Sequence, residues 1–325
     1  MEPEIFNQRT DLTELNAAVE RIRQAIGQII VGQTETIEFL IAGLLADGHI
    51  LLEGVPGVAK TLSAKLVAKS IDASFSRIQF TPDLMPSDVL GTSVFDPRTS
   101  EFAYRKGPVF GHIILVDEIN RAPAKTQSAL FEVMEERQIT VDGNTYHMDE
   151  PFMVLATQNP IEQEGTYRLP EAQLDRFLFK IVVKYPTLEE ETAMLTNQHQ
   201  HRLDDELNEV RPVLSIDQIK VCRAIIKSLH VEPKLIEYVA RITQETRSNK
   251  SLYLGASPRA SLAMLNSAKA IAAMNGRDFL TPEDIIKVAA PVLAHRIILT
   301  PDKEMEGLTA ADIIAQIIQK IEIPR

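Results

Sequence analysis

The stretch that decides the fold reads Ile50-Leu51-Leu52, then Gly54-Val55-Pro56-Gly57-Val58-Ala59-Lys60-Thr61, then a helix-forming segment from Leu62 to Ser70. A buried strand turning into a helix N-terminus aims unpaired backbone N–H groups, and about half a positive charge, at one point. Phosphate oxygens suit such a point. Gly54 to Leu62 therefore form the candidate cradle, with Lys60 reaching the β- and γ-phosphates and the Thr61 hydroxyl available to Mg²⁺. The usual pattern has glycine where this chain has Ala59, so the loop is expected to take a negative φ there.

A second apolar run, His112-Ile113-Ile114-Leu115-Val116, ends in Asp117-Glu118. Carboxylates at a strand exit lie where open α/β sheets bind ligands. Asp117 would hold Mg²⁺ through water, and Glu118 would orient and deprotonate an attacking water. A further run, Phe152-Met153-Val154-Leu155-Ala156, leads into Thr157-Gln158-Asn159-Pro160, which places the Asn159 amide beside a γ-phosphate. Together the cradle and the acid pair are the signature of a P-loop nucleoside triphosphatase.

Working outward, short apolar runs at His49 to Glu53, Ser76 to Phe80, His112 to Val116, Phe152 to Ala156 and Leu178 to Val183 alternate with helical patterns. Strands this apolar belong to a mostly parallel sheet covered by helices on both faces. Beyond Pro186 the pattern turns helical, with start signals at Thr187 with Glu190, Ser257-Pro258, and Thr281-Pro282 followed by Asp284. The expected fold is an α/β P-loop sheet flanked by helices, with a smaller C-terminal all-α domain. Residues 1–185 and 186–325 are the expected domains.

Composition agrees: 325 residues, 45% apolar and 24% charged, describe an ordinary globular chain. The lone cysteine, Cys222, cannot form an internal disulfide, which fits a reducing compartment. Met1-Glu2-Pro3-Glu4 lacks the basic flank of a signal peptide, and no apolar run reaches membrane-spanning length. A cytoplasmic location is expected. The formal charge of −11 repels nucleic acid and anionic lipid.

The chain resembles the AAA+ ATPases, and within them the MoxR group. The resemblance covers nearly its whole length. It rests on Gly54 to Thr61, Val116-Asp117-Glu118-Ile119-Asn120-Arg121-Ala122, Thr157 to Pro160, Leu174-Asp175-Arg176-Phe177 and Gly255-Ala256-Ser257-Pro258-Arg259. It implies Mg·ATP hydrolysis in a homo-oligomeric, six-membered ring, with nucleotide between subunits. By the same resemblance Arg176 is the arginine finger acting on a neighbour's γ-phosphate, with Arg121 a weaker candidate. Arg259, in the first turn of a helix whose N-cap is Ser257, is by resemblance the sensor 2 arginine of the lid, and Gln33 lies in the stretch that holds adenine.

Two hairpins flank the acidic strand. Val94-Phe95 and Phe102-Ala103-Tyr104, around Asp96-Pro97-Arg98-Thr99-Ser100, resemble the helix-2 insertion of the branch that contains MoxR proteins. Gln138 to Val141 and Thr145 to Met148, around Asp142-Gly143-Asn144, form the hairpin before the Asn159 strand. The acidic second tip argues against gripping DNA, although Arg105-Lys106 carry positive charge in the first. A protein client fits better, and the resemblance adds a partner with a von Willebrand A domain. Two alternatives remain open: a magnesium-chelatase-type motor subunit, or a nucleotide-gated scaffold with negligible turnover, against which Glu118 argues.

Overall fold

A computed structural model describes residues 11–55, 57, 59–160, 166–200 and 210–324. Pro56 and Val58 of the expected cradle lie outside the described residues, as do the first four residues. The chain forms two compact units, Ile22–Ile219 and Lys220–Arg325, the latter joined by the N-terminal residues up to Arg21.

The first unit is built on five parallel strands: β1 (His49–Glu53), β2 (Phe75–Gln79), β5 (Ile113–Asp117), β8 (Met153–Gln158) and β9 (Phe177–Val182), in the order β2-β5-β8-β1-β9. Each lies within a residue or two of an apolar run read from the sequence. In β1, β5 and β8 nearly every residue is buried, because helices cover both faces of a parallel sheet. One face packs Leu51, Val116, Val154 and Phe177 with Leu130, Phe131 and Met134 of α5 (Ala124–Glu136). The same unit contains α2 (Thr34–Leu45), which contacts β1 and β9, and α3 (Lys60–Ser70), which contacts β2 and β5.

His49 is a buried polar residue at the head of β1. Its Nδ1 accepts the Val154 backbone N–H at 3.0 Å, which leaves Nε2 to donate to the Met134 carbonyl at 3.2 Å. The neutral ring thereby satisfies a strand amide and a helix-terminal carbonyl that burial would otherwise leave unpaired.

Both hairpins form. β3 (Gly91–Asp96) pairs antiparallel with β4 (Glu101–Lys106), and β6 (Gln138–Val141) with β7 (Asn144–His147). Asp142 and Gly143, at φ 51° and 78°, make the two-residue turn, so Asn144 belongs to the strand and not to the tip. The two hairpins lean on each other: Ser93 Oγ donates to the Asp142 carboxylate, and the rings of Tyr104 and Tyr146 lie 4.6 Å apart.

The compact units divide elsewhere than the change of pattern near residue 186. The segment from 210 to 214 stays with the α/β unit because the N–H groups of Val213 and Leu214 both donate to the Ser70 carbonyl, at 2.7 and 3.2 Å. The second unit contains α8 (Ile216–Lys227) from Lys220 onward, α9 (Pro233–Ser248), α10 (Pro258–Met274), α11 (Pro282–Leu293), α12 (Pro301–Met305) and α13 (Ala310–Lys320). To the expected helices it adds a short antiparallel ribbon, Leu252–Leu254 with Ile298–Leu299. The Thr281 start signal is present: its N–H donates to Asp284 at 3.0 Å, and both Asp284 oxygens receive the Arg277 guanidinium at 2.6 Å. No helix among the described residues is long and apolar enough to cross a membrane.

His49→Leu keeps the volume of the ring and removes both of its hydrogen bonds. It is expected to destabilise the α/β unit by about 2 kcal/mol in urea denaturation and to speed hydrogen exchange at the Val154 amide. Unchanged exchange there would show that something else satisfies that amide.

Candidate active site

Because all five strands are parallel, their C-terminal ends share one edge of the sheet, where the loop after β1, the acids after β5 and the amide after β8 emerge together. β8 separates β1 from β5, so the cradle and the acids are about 10 Å apart with the Thr157 to Asn159 segment between them. Asn159 is buried there.

The loop corrects one expectation. Ala59 takes φ 57°, ψ 19°, the left-handed region, and not the negative φ its methyl group favours. Gly57, at φ 88°, is left-handed as well. A left-handed residue followed by a helical one turns successive N–H groups toward a common centre, and that concavity is what an anion needs. The cost, about 1 kcal/mol, is opposed by two hydrogen bonds onto the Ala59 carbonyl, from Ser63 N at 2.9 Å and Ser63 Oγ at 3.0 Å.

Lys60 begins α3 and folds its ammonium back over the loop to the Gly54 carbonyl at 2.5 Å. Burial pushes Lys60 below the ordinary lysine value, and the carboxylates of Asp117, Glu118 and Glu53 oppose that shift. One cation thus lies in the field of both acids. Thr61 and Leu62 follow in the first turn, half-buried, as is Val55 before it.

Asp117 is buried, with Oδ2 at 2.6 Å from Arg77 Nε and Oδ1 receiving the Thr157 hydroxyl at 3.3 Å. Glu118 is left-handed, at φ 57°; its N–H donates to Thr157 Oγ1 at 3.0 Å. Its Oε2 lies 3.0 Å from Gln79 Nε2 and 2.9 Å from Arg121 Nε. Arg77, Gln79 and Thr157 carry no assignment from sequence. The signal was present in β2, where Arg77 and Gln79 are two apart and so share one face of an edge strand, with Gln79 in register with Asp117.

The other expected residues lie elsewhere. Arg176 immediately precedes β9, whose Phe177 pairs with His49 at the start of β1. It therefore occupies the edge of the sheet opposite the loop that follows β1, about 16 Å away by strand length. Its Nε is 3.3 Å from Glu135 Oε2, an in-chain partner other than the neighbouring Asp175 and Glu171. Gln33 caps α2 at φ 51°, next to Gly32, whose open side is filled by the Glu190 carboxylate. Arg259 is exposed in the first turn of α10, in the second unit.

The Thr61 hydroxyl and the Asp117 carboxylate are hard oxygen donors, few in number, which is how Mg²⁺ is held beside a phosphate chain that supplies the remaining ligands. The residues present fit the ion, with Arg77 already on one Asp117 oxygen.

The sequence matches the ATPase family associated with various cellular activities (AAA) over residues 49–179 and an AAA lid domain over 244–317. It is 43% identical to the chaperone MoxR1 of Mycobacterium tuberculosis over 94% of this chain and 82% of that protein. Identity to YeaC of Bacillus subtilis is 44%, over 96% of each. A Cytophaga hutchinsonii protein of known crystal structure superposes with a TM-score of 0.88 at 42% identity, covering 96% of this chain and 97% of that one. A parallel sheet whose strand ends gather the loop after β1 and an acid pair is the frame of an AAA ATPase with its lid. The chain belongs to the MoxR family of these enzymes.

Gly54 is packed at the base of the cradle, where a β-carbon would stand 2.8 Å from the Val183 carbonyl oxygen, whereas one at Gly57 would meet nothing within 4 Å. Gly54→Ala is therefore expected to cost about 1–3 kcal/mol by overpacking, and Gly57→Ala only about 1 kcal/mol of backbone strain. Thermal melts of the two variants check the order; equal losses would mean that Gly54 is not confined by Val183.

Proposed function

We infer that the cleft binds Mg·ATP and that the chain hydrolyses it as a homo-oligomeric ring, hexameric by resemblance, to remodel or activate a protein client. The observation that carries this reading is the convergence of Lys60 with Asp117 and Glu118 at one sheet edge, where Lys60 feels the charge of both acids.

The roles follow from position. Residues of the stretch Gly54 to Leu62, Pro56 and Val58 among them, cradle the phosphates, and Lys60 takes the β- and γ-oxygens on leaving the Gly54 carbonyl. Thr61 and Asp117 hold Mg²⁺, which when bound neutralises charge between the outer phosphates. Glu118 takes the proton of the attacking water, for which its carboxylate must turn away from Gln79 and Arg121. Asn159 orients the water, Gln33 lines the nucleoside end, and Arg259 couples the lid to the nucleotide. Arg176 stands too far from its own loop to serve it, so we assign it to the phosphates of a neighbouring chain. Phosphoryl transfer spreads charge onto the terminal oxygens, and a finger supplied in trans is worth about 10³–10⁵ in rate.

A protein client is favoured over nucleic acid by the hairpin pair. Phe95 and Phe102 are 48% and 72% exposed with ring centroids 5.3 Å apart, and the tip beside them is the acidic Asp142-Gly143 turn. An apolar pair beside negative charge suits exposed apolar side chains of a polypeptide better than a phosphate backbone. The chaperone among the relatives points the same way. A partner with a von Willebrand A domain and a location in the cytoplasm complete the proposal.

Lys60→Ala is expected to reduce ATP binding below detection by calorimetry, whereas Glu118→Gln retains affinity and loses at least about 100-fold in turnover. Near-normal hydrolysis by Glu118→Gln would remove it as the base, whereas negligible turnover by the unaltered chain would favour the scaffold reading. Arg176→Ala mixed with Lys60→Ala should regain part of the turnover that each lacks alone, through interfaces with both groups intact. Proven co-assembly with no regained turnover would place the finger elsewhere.

A further inference from the structure

The assignment of Lys60, Asp117 and Glu118 leaves one charged contact in the cleft without a role. Arg77 comes from β2, the edge strand, and its Nε lies 2.6 Å from Asp117 Oδ2. It is an unequal pair: the Asp117 side chain is 10% exposed and that of Arg77 51%. A carboxylate this buried is costly without a countercharge. Lys60 contributes, but its ammonium is bonded to the Gly54 carbonyl, and Arg121 is taken up by Glu118. Arg77 is thus the cation in direct contact with the acid that the reading above gives to Mg²⁺.

A guanidinium seated 2.6 Å from Oδ2 repels a divalent ion brought to the same carboxylate, directly or through its bound water, so the two cations compete for Asp117. The exposure of Arg77 decides how the competition ends. With half of its side chain already in water, it can leave Asp117 at little desolvation cost, as exposed ion pairs do. While in place it also shields a triphosphate from the Asp117 charge. We propose that Arg77 is a positioning residue that holds and neutralises Asp117 before the metal binds and yields the carboxylate to Mg²⁺, so that it sets the metal dependence of nucleotide binding.

The inference rests on Asp117 being the magnesium-holding carboxylate, and the test separates the two. Mn²⁺, detected as the free ion by electron paramagnetic resonance, is titrated into the full chain saturated with a non-hydrolysable ATP analogue. In parallel, a fluorescent ATP analogue is bound in EDTA. Arg77→Gln is expected to lower the Mn²⁺ midpoint about 3- to 5-fold, the scale of a half-exposed ion pair, and to weaken metal-free nucleotide binding by a similar factor. Arg77→Lys, which keeps the charge, should restore both toward wild type. A purely structural arginine would alter the melting temperature but not move these two quantities in opposite directions. If Asp117→Asn raises the Mn²⁺ midpoint while Arg77→Gln leaves it unmoved, the inference falls and the reading of Asp117 stands. If Asp117→Asn leaves the midpoint where it is, both fall.

Discussion

Two successive carboxylates at the end of a buried strand are the constraint on which the rest of this cleft depends. Asp117 and Glu118 follow four fully apolar, fully buried residues; Asp117 is itself buried and needs a partner, and half-buried Glu118 gains from one. Every contact the structure gives them answers that need. Arg77 and Arg121 each take one acid, the Thr157 hydroxyl reaches the side chain of one and the backbone of the other, and Gln79 completes Glu118. Lys60 then feels both from across β8. The parallel sheet makes this economy available, because strands running the same way deliver all these groups to one edge.

The backbone shows the same priority of function over local preference. Ala59 and Glu118 both occupy the left-handed region, where a side chain is mildly unfavourable. At Ala59 the result is a sharp entry into α3; at Glu118 it is a carboxylate turned onto the acid strand's neighbours. Beneath them Phe131 of α5 packs edge to face on Phe177 of β9 at 5.8 Å, part of the buried core on that face of the sheet.

How much of this was legible in the sequence depended on what kind of interaction was at stake. The five strands could be read because burial on both faces leaves a plain apolar run, and the turn from β1 into α3 because glycines punctuate the change from strand to helix. The sign of φ at Ala59 could not be read, since the methyl penalty of about 1 kcal/mol is small beside what the loop gains. Arg77 and Gln79 were hidden for a different reason: polar residues alternating on an edge strand look like a solvent-facing row, and only the register with β5 turns that row toward Asp117. The tie of Val213 and Leu214 to Ser70 runs through backbone groups that leave no mark on side-chain pattern, and three-residue strands such as Leu252–Leu254 are too short to stand out.

The position of Arg176 carries the argument past the single chain. Its distance from its own cradle is set by the length of β1, because β9 runs parallel to β1 and Arg176 comes before β9 while the phosphate loop comes after β1. No side-chain rotation spans a whole strand. If this guanidinium meets a transferring phosphoryl group, that group must belong to another copy, and release from Glu135 is part of making the interface. Each proposed subunit contact would then exchange an in-chain ion pair for one with nucleotide. Whether the neighbour is in place would be sensed at the far edge of the sheet, and the state of the phosphate at the near edge. A five-residue strand separates the two, so in the proposed ring the sheet itself would be the link between one site and the next.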